Sequence, residues 1–129
     1  MEIFDCSKNN LLSSVGKVDR NVILSQDAEG YLCFGPYISL PKGSYRASYS
    51  LMTGSNASGD VTMDVCYGNG THVAAKTIFN LNTLEIETEL SIDFDFDEPR
   101  DTVEIRLHVS ATASLAVTSL KISWRKNKI

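Results

Sequence analysis

The sequence predicts an all-β domain, two antiparallel sheets packed as a jelly-roll sandwich, and three observations carry that prediction. Apolar and polar residues alternate at period two in several long runs. Gly, Pro and Asn punctuate the chain between those runs. Helical periodicity is confined to one short, weak stretch at 80–87.

Taken in order, Val22–Leu24 and residues 31–39 read as the first strands. Tyr45, Ala47, Tyr49 and Leu51 then alternate with Arg46, Ser48 and Ser50, so one side of that strand is buried and the other wetted. Val61, Met63, Val65 and Tyr67 repeat the pattern against Thr62, Asp64 and Cys66. A hairpin at 67–71, with Gly68-Asn69-Gly70 at its tip, leads into a strand at 73–79. Leu90, Ile92, Phe94 and Phe96 alternate with Ser91, Asp93 and Asp95; Val103, Ile105, Leu107 and Val109 alternate with Glu104, Arg106 and His108. Leu115–Trp124 completes the set. Pro41-Lys42-Gly43, Gly54-Ser55-Asn56 and Glu98-Pro99-Arg100 supply the turn chemistry between strands. Eight or nine regularly spaced strands make a two-sheet sandwich, with residues 1–129 forming one domain, either a whole protein or a module of a longer one.

Composition narrows the function. The 129 residues are 43% apolar and 22% charged, which suits one folded domain with its own core. The net charge is −4, and Lys and Arg are scattered except near the end of the chain, so nucleic acid is not an expected partner. No window reaches the roughly 18 apolar residues of a membrane span. The opening residues 1–8 have neither the basic nor the apolar segment of a signal peptide. Cys6, Cys33 and Cys66 are odd in number and widely spaced, as expected of reduced thiols in a cytoplasmic protein. Asn56-Ala57-Ser58 and Asn69-Gly70-Thr71 match the N-glycosylation pattern and, without a secretory route, mark polar turns.

Three constellations bear on chemistry. Cys66 and His72 flank one hairpin, yet nothing around them matches a nucleophile motif, so no catalytic residue is assigned and no enzyme is expected. Asp93, Asp95 and Asp97 would stand in a row, either as a solvated strand face or, if the chain bends, as calcium ligands. Side chains in a row do not converge on one ion, and no metal or cofactor is assigned. The third constellation is the polar surface of the sandwich. Arg46, Asp64, Arg106 and His108, with Glu104, point away from the core on different strands. Side by side they would offer the donors and acceptors that sugar hydroxyls need, with Tyr31, Tyr37, Tyr67 or Trp124 as an apolar platform. Arg106 is then an exposed ligand contact, dispensable for folding. By phase, Trp124 continues the inward series of Leu120 and Ile122, and Tyr31 and Tyr37 share one face; all three also fit as core residues.

The stretch Gly30-Tyr31-Leu32-Cys33-Phe34-Gly35-Pro36-Tyr37, continuing through Leu40-Pro41-Lys42-Gly43-Ser44-Tyr45, resembles jelly-roll domains similar to carbohydrate-binding modules attached to bacterial glycosyltransferases and surface-polysaccharide proteins. Gly59-Asp60-Val61 and Val103-Glu104-Ile105-Arg106 fit the same layout, and the match runs roughly from Gly30 to Trp124. The resemblance implies a galactose-binding-like jelly roll, a non-catalytic role, and a glycan or polysaccharide partner, with a covalently linked glycosyltransferase domain as one setting. It departs from calcium-dependent modules because Leu115–Trp124 carries no carboxylate, so no metal residue is carried over. The competing reading is a structural or protein-interaction sandwich that docks a partner or forms an oligomer. An exposed aromatic in a groove favours the first reading, a broad apolar patch the second.

Overall fold

The computed structural model describes residues 2–5, 11–19, 22–54, 58–83 and 86–125. Cys6, the sequon at Asn56 and the centre of the 54–56 turn lie outside the described residues.

Eleven strands are seen among the described residues: β1 (Glu2–Asp5), β2 (Lys17–Asp19), β3 (Val22–Leu24), β4 (Gly30–Cys33), β5 (Pro36–Leu40), β6 (Gly43–Thr53), β7 (Asp60–Tyr67), β8 (His72–Asn80), β9 (Glu87–Phe96), β10 (Arg100–Val109) and β11 (Leu115–Trp124). They build two sheets in which every pairing is antiparallel. The first runs β2-β3-β11-β6-β9, with β1 also on β11; the second runs β4-β10-β7-β8, with β5 also on β10. From β8 onward the chain changes sheet at each step, which binds the two layers into one jelly-roll sandwich.

The expected long strand at 31–39 is two strands. Phe34 and Gly35 interrupt it, Gly35 has φ +109°, and the two halves pair with opposite ends of β10. Glycine is suited to that backbone, where a side chain would be strained. Within the weak helical stretch at 80–87, the described residues include one 3₁₀ turn at Leu81–Thr83.

Alternation sets the core. Tyr45, Ala47, Tyr49 and Leu51 of β6 and Leu90, Ile92, Phe94 and Phe96 of β9 face Met63 and Val65 of β7 and Val103, Ile105 and Leu107 of β10, all buried. Each such large side chain contributes about 1.5–3 kcal/mol through its removal from water. The Tyr49 hydroxyl, buried on the first sheet, donates to the carbonyl of Ile105 on the second. Tyr45, Phe94 and Phe96 form an aromatic cluster at one end, with Tyr45 and Phe94 stacked at 5.4 Å.

Trp124 corrects an expectation from phase. Its side chain does turn inward, stacking on Tyr45 with ring centroids 4.7 Å apart, but it stands at the last residue of β11, past the final core layer. It is 57% exposed. Tyr31 and Tyr37 are exposed as well, so neither is a core residue.

Candidate functional site

The outer face of the second sheet gathers most of the sequence candidates. On β10, Glu104, Arg106 and His108 are the outward positions; on neighbouring β7 they sit opposite Cys66, Asp64 and Thr62. β4 brings Tyr31 opposite His108 on the other side. One row across the face therefore reads Tyr31, His108, Thr62, Ile78, and the next reads Arg106, Asp64, Lys76.

Arg106 is the hub. Its Nε and Nη2 donate to the two carboxylate oxygens of Asp64, each at 2.8 Å, in the planar two-point geometry available to guanidinium. Its Cζ lies 4.8 Å from the centroid of the Tyr31 ring. His108 meets Tyr31 edge to face at 5.2 Å. The hydrogen bonds it donates to Asp64, ahead of any other influence, raise the Arg106 pKa, so its charge is permanent at physiological pH. The Arg106 and Asp64 side chains keep only 18% and 11% of their exposure. Arg106 is thus a half-buried member of an ion pair, which corrects its reading as a freely exposed contact.

Below that row lies a second polar group. Glu104 is buried although it points outward, and its Oε2 accepts a hydrogen bond from Cys66 Sγ at 3.5 Å. The Tyr37 phenol is pushed up in pKa by burial first, then by its hydrogen bond to Glu104 and that carboxylate's charge. Tyr37 sits at φ +61°, a backbone conformation uncommon for a bulky residue and one that aims its ring across the face. Gly70 in the β7–β8 hairpin completes the rim, where an added Cβ would lie 3.7 Å from Arg106 Nη1 and 3.8 Å from Glu104 Oε2.

The same environment argues against thiol chemistry. Burial and the Glu104 charge push the Cys66 thiol up to about 12, away from the thiolate a nucleophile requires. His72, its proposed partner, is exposed and stacks on Tyr67 at 5.1 Å.

Arg46 does not join the others. It belongs to β6 in the first sheet, where its Nε and Nη2 donate to Asp93 at 2.7 and 3.1 Å. Its role in a shared face therefore fails: phase shows that Arg46 points outward, but not from which sheet. The three aspartates are engaged with arginines: Asp93 with Arg46 and Arg125, Asp95 with Arg125, and Asp97 with Arg100. Asp97 lies beyond the end of β9, in the following turn.

Lys76 and Ile78 were not anticipated as members of the face. A tight hairpin pairing Tyr67 with His72 would set Lys76 opposite Met63, whereas a bulge between Val65 and Cys66 shifts the register and sets it opposite Asp64. Alternation cannot reveal such a shift.

No protein-family model and no curated protein matches this sequence. Solved structures do share its fold. A family 35 carbohydrate binding module from an environmental isolate superposes with a TM-score of 0.68 at 18% identity, over 95% of this chain and 93% of its own. The carbohydrate binding module CBM6cm-2 from Cellvibrio mixtus lichenase 5A, solved in complex with cellotriose, gives 0.66 at 11% identity, over 97% and 98%. Xyl-CBM35, in complex with a glucuronic acid containing disaccharide, gives 0.64 at 12% identity, over 96% and 94%. The chain thus has the jelly-roll fold of carbohydrate-binding modules, as its sequence pattern suggested.

Proposed function

We propose that this domain is a non-catalytic carbohydrate-binding module that holds a glycan across the outer face of its second sheet. The observation that carries this reading is the convergence of Tyr31, His108, Arg106 and Asp64 on adjacent strands. The Arg106–Asp64 pair fixes donors and acceptors in place, so little side-chain entropy remains to be lost when a hydroxyl binds. Among the described residues no hydrogen bond engages Arg106 Nη1, which leaves a charged donor for the ligand. Tyr31 and Tyr37 add exposed ring surface beside it. Three of the fold's structural neighbours named above are carbohydrate binding modules, which supports the reading.

The ligand in this proposal is a bacterial glycan or an intermediate in polysaccharide assembly. A glycosyltransferase domain on the same polypeptide is the natural neighbour for such a module. A cytoplasmic setting belongs to the same reading and is supported by Cys66, a buried thiol outside any disulfide.

Calorimetric titration of the domain against a panel of bacterial polysaccharides tests the proposal. Tyr31→Ala and His108→Ala should each weaken binding about tenfold or more, while Arg46→Ala, on the other sheet, should leave it unchanged. Equal loss in all three, or no binding across the panel, removes the face from consideration. One observation favours the alternative, a protein-docking sandwich: among the described residues β8 pairs with β7 alone, and its Val73 and Ile78 are 55% and 62% exposed. A stable oligomer in solution without glycan binding would establish that reading instead.

A further inference from the structure

One end of the sandwich carries a second candidate site, built on residues other than those of the face described above. Trp124 at the end of β11 has one face laid on the buried ring of Tyr45, the two planes inclined by 32°. Tyr45 is itself held by its hydroxyl, which donates to the Pro41 carbonyl at 2.5 Å. Gly43 packs so closely beneath the indole that a Cβ there would come within 2.3 Å of Cζ3. The platform is therefore fixed from below, and the 57% exposure of Trp124 belongs to what remains above.

Beside the indole lies a cleft of about 290 Å³, bounded by Ser39, Pro41, Tyr45, Ser123 and Trp124. Its rim is polar without being strongly charged. Ser39 Oγ donates to Asp101 Oδ1 at 2.8 Å, and both residues are exposed. A rigid aromatic plane beside a cleft bounded by Ser39 and Ser123 matches a ligand that is apolar on its faces and hydroxylated on its periphery.

We infer that Trp124 and the cleft beside it form a second saccharide-binding site, for a neutral hexopyranose unit with equatorial hydroxyls. Such a ring presents a flat C–H face to the indole and directs its hydroxyls outward to Ser39 and Ser123. The two sites meet at one edge, where Tyr37 and Ser39 lie two residues apart on β5, about 7 Å, but their centres are separate: Leu40, next to Pro41, pairs with Arg100, and His108 lies eight residues farther along β10, about 27 Å away. Two sites on one domain would let a long glycan bind with an effective concentration neither site has alone.

Trp124 is the sole tryptophan of the chain, so its fluorescence reports on this site without labelling. Titration of the intact chain with cellohexaose and laminarihexaose should shift or quench that emission saturably. The change should persist in Tyr31→Ala, where the first site is disabled. Calorimetric affinity for the same oligosaccharides, in the Tyr31→Ala background, should fall about tenfold in Trp124→Ala and in Trp124→Leu, the latter keeping apolar bulk without a ring. Emission unchanged into the millimolar range with both sugars overturns the inference. So does an emission shift that follows protein concentration rather than sugar, which would assign Trp124 to self-association.

Discussion

Arg106 and Asp64 bind together the fold and the proposed glycan site. Both are largely out of water, so deleting one partner leaves the other charge without compensation. Arg106→Ala should therefore cost about 2–3 kcal/mol of stability in urea unfolding, as well as glycan affinity. Replacing both residues together, Arg106→Met with Asp64→Leu, should recover most of that stability and none of the affinity. If Arg106→Ala proves neutral for folding, the pair is weaker than its geometry indicates.

Cys66 carries a pH signature of its own. In the unfolded chain its thiol loses its proton near the ordinary cysteine value, whereas in the folded protein burial delays that loss to about 12. Between those values the unfolded state binds fewer protons, so stability falls as pH rises, by up to about 1.4 kcal/mol per pH unit from this group. Below the unfolded value the contribution is constant. Cys66→Ala should flatten the decline in melting temperature above pH 9, and an unchanged profile would show that other groups control it.

At the scale of elements, the β7–β8 hairpin decides what the proposed glycan face contains. Gly68, Asn69 and Gly70 all have positive φ, at 65°, 58° and 81°. Asn tolerates that region and glycine adopts it freely, whereas another residue pays about 1–2 kcal/mol. Space is not the obstacle at Gly70, since an added Cβ meets Arg106 Nη1 at 3.7 Å, an ordinary contact. Gly70→Ala should then destabilise the domain by about 1–2 kcal/mol through backbone strain, measured by denaturant unfolding. This turn was readable in the sequence, because G-N-G between alternating runs has few other uses. The bulge that follows it was not, since an extra residue in one strand leaves the local pattern nearly intact.

At the scale of the whole molecule, the two sheets are joined chiefly by apolar packing, with the Tyr49 hydroxyl as a polar tie to Ile105 across the core. Tyr49→Phe leaves the Ile105 carbonyl without that donor and should cost about 1–2 kcal/mol, with a single cooperative transition retained. Two separated transitions would mean that the sheets unfold independently.

The place of the long strands from β6 onward and the direction of nearly every side chain along them were determined by sequence alone. Inward Tyr45, Tyr49, Phe94 and Phe96 and outward Asp64, Arg106 and His108 follow from period-two geometry, a local property of extended chain. Which outward residues become neighbours is a property of strand order, and only the tertiary structure decided it. Arg46 and Arg106 carry the same phase, yet they stand on different sheets. Trp124 has the phase of a core residue but occupies a strand end where the core has run out. Alternation specifies a side of a strand; pairing and depth are set by contacts between residues far apart in the chain.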